Sequence, residues 1–200
     1  IARGSELVGS LAPTDARALA DGLEPFCRRA FFSPERFEGM ERLRLVRHRV
    51  QAGETPQRIA QQYRIGHGLL ARLNERFEPR ALRVGQELKV LDLRGGDLRL
   101  VVDAAGFRLS AWCELPAGGP LLLLQVPVGL GAPESPTPLG RTQVVERVLE
   151  PSWTHPVTKE VFAPGDPGNV LGGYWIRLSP DGIGKSGIGL HGYTQEEPAA

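Results

Sequence analysis

Glycine and proline punctuate this chain so densely that long regular elements have little room. There are 25 glycines and 17 prolines in 200 residues. Glycine weakens helices and strands through backbone entropy, and proline through its missing N–H. Short strands joined by many turns are therefore expected, with helices only where the punctuation relents. It relents over residues 13–33, where Ala16, Leu19, Ala20 and Leu23 follow a helical period. That spacing predicts a helix with Thr14 as its cap. Pro25 interrupts the pattern, which "FCRRAFF" then continues. Residues 1–44 read as an N-terminal helical segment, either a packing arm or the end of a preceding domain. Cys27 within it reads as a small buried hydrophobe.

The second relief falls over residues 45–91. In "LVRHRV", Val46, His48 and Val50 share one face of a strand. "QAGET" turns the chain. Thr55 is suited to cap a helix, and Pro56 falls at its first position, where a missing N–H costs nothing. Ile59, Ala60 and Tyr63 supply an apolar face. Gly66 and Gly68 are expected to break that helix, and Leu69, Leu70 and Leu73 mark a second one before Asn74. "LRVGQELKVL" closes the unit as a strand with Leu88 and Val90 inward. The predicted order is strand, helix, helix, strand.

These residues resemble a LysM domain: "HRVQAGETPQRIAQQYRIGHGLLARLN" followed by "LRVGQELKVL". The entry "V-x-x-G-E-T", the "IA" helix core, the "LN" ending and the "VGQ-x-L" return are all present. The resemblance implies binding of N-acetylglucosamine-containing glycans such as peptidoglycan or chitin. It places the sugar in a shallow groove between two loops. Here these are Gly53, Glu54, Thr55 and Pro56, and the stretch 77–80 with Glu78 and Pro79. The alternative is a spacer that no longer binds.

Beyond "RGGD" at 94–97, which reads as a short hinge, the pattern becomes β. Leu98, Leu100 and Val102 alternate, "DAAG" turns the chain, and Phe107, Leu109 and Ala111 alternate again. "PAGGP" is a further turn. "LLLLQVPVG" is apolar on both faces and is expected to be a central strand. Residues 141–149 and 174–178 read as further strands.

Charge and motif inventories exclude several function classes. The net charge of +1 hides an asymmetry: residues 42–90 carry 11 Lys/Arg against 4 Asp/Glu, and the remainder 13 against 19. An anionic partner would suit the basic stretch, but its arginines are spread along it, and the two parts offset each other. Its only aromatics, Tyr63 and Phe77, fit core positions, so stacking on nucleic acid is not expected. "SPDGIGKS" at 179–186 lacks the first glycine of a phosphate loop and the helix that must follow, and reads as a loop between strands. No apolar run approaches a membrane span. Cys27 and Cys113 form no motif, so no metal site and no cofactor is expected.

The stretch from 126 to 192 carries the sharpest signal. It contains Thr137-Pro138-Leu139-Gly140, then Pro151-Ser152-Trp153. Pro164-Gly165 follows, with Asn169, Leu171-Gly172 and Trp175, and finally His191-Gly192. In this order the motifs resemble the L,D-transpeptidase (YkuD-like) family over about residues 97–200. The resemblance implies a mostly-β sandwich or mixed barrel behind the small LysM module, an α+β multidomain chain overall. It further implies a cysteine acyl transferase. A thiolate attacks a carbonyl of a peptidoglycan stem tetrapeptide, the terminal D-alanine leaves, and an amine of a second stem takes the acyl group to form a 3→3 cross-link. His191 and Gly192 would line the active site. The family's "S-H-G-C-x-R" motif is expected beyond Ala200, so the chain is read as lacking its nucleophile and as inactive alone. Expected partners are glycan strands and stem peptides, and the expected location is the cell envelope. The alternative is a non-catalytic peptidoglycan-binding protein on a transpeptidase-like scaffold.

Overall fold

The computed structural model describes residues 13–116 and 119–193. The chain forms two compact units, residues 1–129 and 130–200.

The first unit opens with α1 (Pro13–Phe32). Thr14 is the second residue of this helix rather than its cap. Pro25 does not end it either: proline removes one N–H from the ladder, a loss that packing of the flanking turns offsets. After a 3-10 turn at Met40–Leu43 comes β1 (Leu45–Arg49), then α2 (Pro56–Gln62), α3 (His67–Arg72) and β2 (Glu87–Leu91). This is the expected strand–helix–helix–strand order. Thr55 caps α2 by accepting from the Arg58 N–H at 3.3 Å. Its hydroxyl thereby satisfies one of the donors that a helix start leaves open, and Pro56 occupies the first turn. Gly66 stands at the start of α3, but Gly68 lies inside it, where the helix tolerates the entropic cost.

β1 and β2 pair antiparallel, from Leu45 opposite Leu91 to Arg49 opposite Glu87. A two-stranded sheet presents two faces, and both are covered here. Val46, Leu88 and Val90 face a core with Val50, Ile59, Ala60, Tyr63 and Leu70. Leu45 and Leu91 face a second core with Cys27, Phe31, Met40, Leu43, Trp112 and Leu122. Each large apolar side chain buried in this way contributes about 1.5–3 kcal/mol. The N-terminal segment, whose role the sequence left open, is thus the second cover of the hairpin.

The same unit continues with β3 (Asp97–Asp103), β4 (Arg108–Glu114) and β5 (Pro120–Pro127), a three-stranded antiparallel sheet in the order β3-β4-β5. The doubly apolar β5 is therefore an edge strand, not a central one. Its apolar character answers to α1, which packs against it, with Cys27 Sγ 3.5 Å from the Leu122 carbonyl. At the far edge, the alternation of Leu98, Leu100 and Val102 does not mark a buried face. All three are exposed, because α1 covers β5 rather than β3. The turn expected at 116–120 lies partly outside the described residues.

The joint at 94–97 is pinned rather than hinge-like. The Arg44 guanidinium donates to the carbonyls of Asp92 (3.0 Å) and Arg94 (2.8 Å). Arg94 pairs with Asp92 through two side-chain hydrogen bonds and lies 4.7 Å over the Tyr63 ring. Arg64 donates to the Gly96 carbonyl. A Cβ on Gly96 would sit 2.5 Å from Cys113 Sγ, so the chain passes directly over that thiol.

The second unit holds β6 (Val144–Leu149), β9 (Leu171–Leu178) and β10 (Gly189–Tyr193) in the order β10-β9-β6. A short hairpin, β7 (Trp153–Thr154) with β8 (Val161–Phe162), lies between β6 and β9 in sequence. Residues 179–186 belong to the connection between β9 and β10, as expected.

Lys89 is the least expected core residue. It is fully buried, and its Nζ donates to the carbonyls of Ser33 (2.9 Å) and Glu35 (2.5 Å). Asn74 completes the clamp: its amide donates to the carbonyls of Leu70 and Lys89 and accepts from the Lys89 N–H. Burial lowers the Lys89 pKa to about 8. Low-dielectric surroundings disfavour the charged form, which is the direction seen. The neutral amine still has two N–H groups for its two carbonyls, so deprotonation sacrifices neither bond. Below about pH 8 both folded and unfolded states hold the proton, and the cost of burying charge is present in full. Between there and the ordinary lysine value of 10.5 only the unfolded state holds it. Stability contributed by this group therefore rises with pH across that window. Denaturant unfolding on the alkaline side of neutrality should show this rise, and Lys89→Met should abolish it. A Lys89→Met variant with the unchanged wild-type slope excludes Lys89 as its source.

Candidate functional site

The loop after β1 is held by a buried polar chain. His48, on the apolar face of β1, places Nε2 2.8 Å from Glu54 Oε2 and Nδ1 3.1 Å from the Tyr63 hydroxyl. A carboxylate only accepts, so Nε2 donates to Glu54, and in the neutral ring Nδ1 then accepts from the Tyr63 hydroxyl. Glu54 also accepts the Gln51 N–H at 2.7 Å. That bond, with His48, holds the Glu54 carboxyl below the usual carboxylate range. Burial pushes the Tyr63 hydroxyl up. Gly53 has a φ of 79°. Glycine adopts this left-handed conformation without penalty, because it has no Cβ to clash.

The glycan-facing residues expected from sequence therefore divide. Glu54 locks the loop, Thr55 caps α2, and Pro56 is buried. Gly53, Glu78 and Pro79 are exposed. Phe77 leads into the second loop and packs into the same core as Val50, edge-on to His67 at 5.9 Å. Glu54 is thus a scaffold residue for the loop. The sequence signal was His48 itself: an imidazole between inward valines needs a polar partner.

In the second unit, His191 lies on β10 directly opposite Trp175 on β9. The rings stack, with centroids 5.5 Å apart and planes 26° from parallel. His191 is exposed, and its Nδ1 lies 2.5 Å from the Gly192 carbonyl. After His191 the pairing shifts register, so that Tyr193 meets Leu171. That shift needs two glycines face to face: a Cβ on Gly172 would come 2.9 Å from the Gly192 Cα. On the other side Gly189 leaves no open space, because a Cβ there would meet the Trp175 ring at 2.6 Å. Trp175 fills the room that Gly189 vacates.

Around this strand pair the motif residues act as framework. Asn169 is buried and donates through Nδ2 to the carbonyls of Pro151 (2.9 Å) and Ala163 (3.0 Å), while its Oδ1 accepts the Leu171 N–H. It thereby ties the β7–β8 hairpin to the start of β9. Trp153 stacks on Phe162 across that hairpin at 5.3 Å.

Both thiols are buried and in the first unit. Burial pushes Cys27 up to about 11 and raises Cys113 as well. A nucleophilic cysteine needs the opposite shift, toward thiolate at neutral pH.

The L,D-transpeptidase catalytic domain (YkuD) model matches residues 97–199, just over half of the chain. The chain belongs to this family. A LysM domain precedes it at residues 48–91. No curated protein matches the chain. One similar solved structure is a MoCVNH3 variant (Mo0v) in complex with (N-GlcNAc)4. It has 24% sequence identity and a TM-score of 0.24, and the match covers 42% of this chain and 54% of that one. The transpeptidase-family chain thus spans about half the length of that protein, and the likeness is too low to align one site on the other.

Within the transpeptidase-family region, Asn169 carries the framework most directly. Asn169→Ala leaves several backbone groups without their partner and should cost about 1–3 kcal/mol. Denaturant unfolding monitored by tryptophan fluorescence measures it. A stability loss within experimental error makes the Asn169 tie dispensable.

Proposed function

We propose that this protein is a peptidoglycan-directed L,D-transpeptidase of the cell envelope, held on its substrate by the LysM module. The observation that carries the reading is the order of the two family matches, LysM followed by the catalytic domain. The exposed His191–Gly192 end of β10 supports it. In the reaction, a cysteine thiolate attacks the stem-peptide carbonyl and forms a thioester, and D-alanine leaves with its amine. The amine of a second stem then attacks the thioester and releases the thiolate, giving a 3→3 cross-link. His191 lines the site and sets polarity near the sulfur. Glycan contacts fall to Gly53, Glu54 and Thr55 on one loop and Glu78 and Pro79 on the other, mostly through hydrogen bonds, while the buried Pro56 only shapes the first loop.

Cys27 and Cys113 are both buried with raised pKa, so neither suits the nucleophile's role. The 200-residue chain by itself is therefore proposed to be inactive. The second reading is a peptidoglycan-binding protein with a non-catalytic transpeptidase-like domain. Incubating the chain with a stem tetrapeptide and an amine acceptor should release no D-alanine. Release, or an acyl adduct on either cysteine by mass spectrometry, overturns this assignment. In the protein carrying the family's cysteine motif, His191→Ala should change stability by only about 0.5 kcal/mol. It should cut acyl transfer on the order of 100-fold. A large drop in melting temperature with an unchanged rate makes His191 a packing residue. An absence of acyl transfer even with the motif present selects the second reading.

The glycan role has its own test. The 200-residue chain should co-sediment with insoluble peptidoglycan and remain bound in moderate salt. Residues 42–90 carry 11 Lys/Arg against 4 Asp/Glu, a net +7. Purely electrostatic attachment through that charge would be screened away. Chain left wholly in the supernatant removes the anchoring role.

A further inference from the structure

We infer that Trp175 is the positioning residue for His191, fixing both the plane and the tautomer of its imidazole. The inference rests on the reading of His191 as a site residue, but its geometry stands separately. An exposed histidine on a strand ordinarily samples several rotamers, and its neutral ring exchanges between two tautomers. Here the indole lies under the imidazole, with ring centroids 5.5 Å apart and planes 26° from parallel. Such an offset stack removes one side of the ring's rotational freedom. The ring's edge is fixed by the second contact. Nδ1 lies 2.5 Å from the Gly192 carbonyl oxygen. A carbonyl can only accept, so Nδ1 must donate. The proton of the neutral ring is then on Nδ1, and Nε2 is left with its lone pair. Stacking and the Nδ1–H bond together aim that lone pair away from Gly192.

The seat of Trp175 is built into the backbone. Its indole lies over Gly189, where a Cβ would come within 2.6 Å of the ring and 2.8 Å of the Ile176 carbonyl. The pairing of His191 with Trp175 and of Gly189 with Arg177 puts both residues beside the indole on one face of the β9–β10 ladder. Glycine at 189 is thus a requirement of Trp175, and through it of His191. The consequence for an acyl transferase is specific. An Nε2 lone pair in a fixed direction can take or share a proton at one place, whereas a freely rotating ring would spread that capacity over many.

The test has two routes to the same displacement. In the 200-residue protein, nitrogen NMR of the histidine rings should show His191 mainly with its proton on Nδ1, and its carbon-bound protons shifted upfield by the indole. Trp175→Leu should remove the upfield shift and turn the tautomer population over, toward the Nε2–H form that free imidazole side chains prefer. Gly189→Ala should act alike by pushing the indole aside. Trp175→Phe, which keeps a stacking face, should restore the Nδ1–H majority. Melting curves of all variants identify those that stay folded, and tautomer ratios are compared among those. A wild-type His191 mainly in the Nε2–H form overturns the inference, as does a tautomer ratio unmoved in folded Trp175→Leu or folded Gly189→Ala. The site reading fails differently: the NMR pattern holds, but His191→Ala in the protein with the cysteine motif leaves acyl transfer unchanged.

Discussion

A two-stranded sheet cannot be stable alone, because each of its faces must be taken out of water. Much of the first unit follows from how β1–β2 meets that demand. The LysM helices cover one face and the segment from Cys27 to Leu43 covers the other. That second cover reaches further, through α1 onto β5 and through Leu93 and Cys113 onto the joint. The module and the first sheet of the transpeptidase-family region therefore share one core. Pinning of the 92–97 backbone by Arg44 and Arg64 is the polar counterpart of that shared burial. Lys89 sits at the centre of the arrangement. It faces the N-terminal segment because its neighbours Leu88 and Val90 face the helices, and it survives there because two carbonyls of residues 33–35 receive its Nζ.

The two candidate sites are built on different physics. The loop after β1 is held by a buried hydrogen-bond chain, Tyr63 to His48 to Glu54 to the Gln51 amide. Both ring nitrogens of His48 are engaged in that chain, so the loop is organised by the protein's own contacts. The β9–β10 edge is held by steric fit instead. Gly172 against Gly192 and Gly189 under Trp175 let backbones and rings approach more closely than any larger residue would permit. His191 stands exposed at the place where that ladder changes register.

Much of the fold was legible in the sequence. The Thr55–Pro56 entry, the apolar face of Ile59, Ala60 and Tyr63, and the strand pattern of 87–91 all act through neighbours a few residues away, which is why they can be read locally. The motifs from Thr137 to Gly192 were likewise enough to name the family that the later match established. The misreadings share one cause. β5 read as central because it is apolar on both faces, yet α1, far earlier in the chain, supplies the cover. The joint at 94–97 read as a short hinge, yet Arg44, just before β1, and Arg64, just after α2, tie it down.

Local chemistry thus determined where most elements begin, end and alternate, because caps, turns and periodicity are set within a few residues. Only tertiary packing decided what each face meets. It buried Lys89, set Glu54 on His48, and brought Trp175 under His191. The meeting of such partners depends on strand register and on space left by absent side chains, neither of which is written in any short stretch.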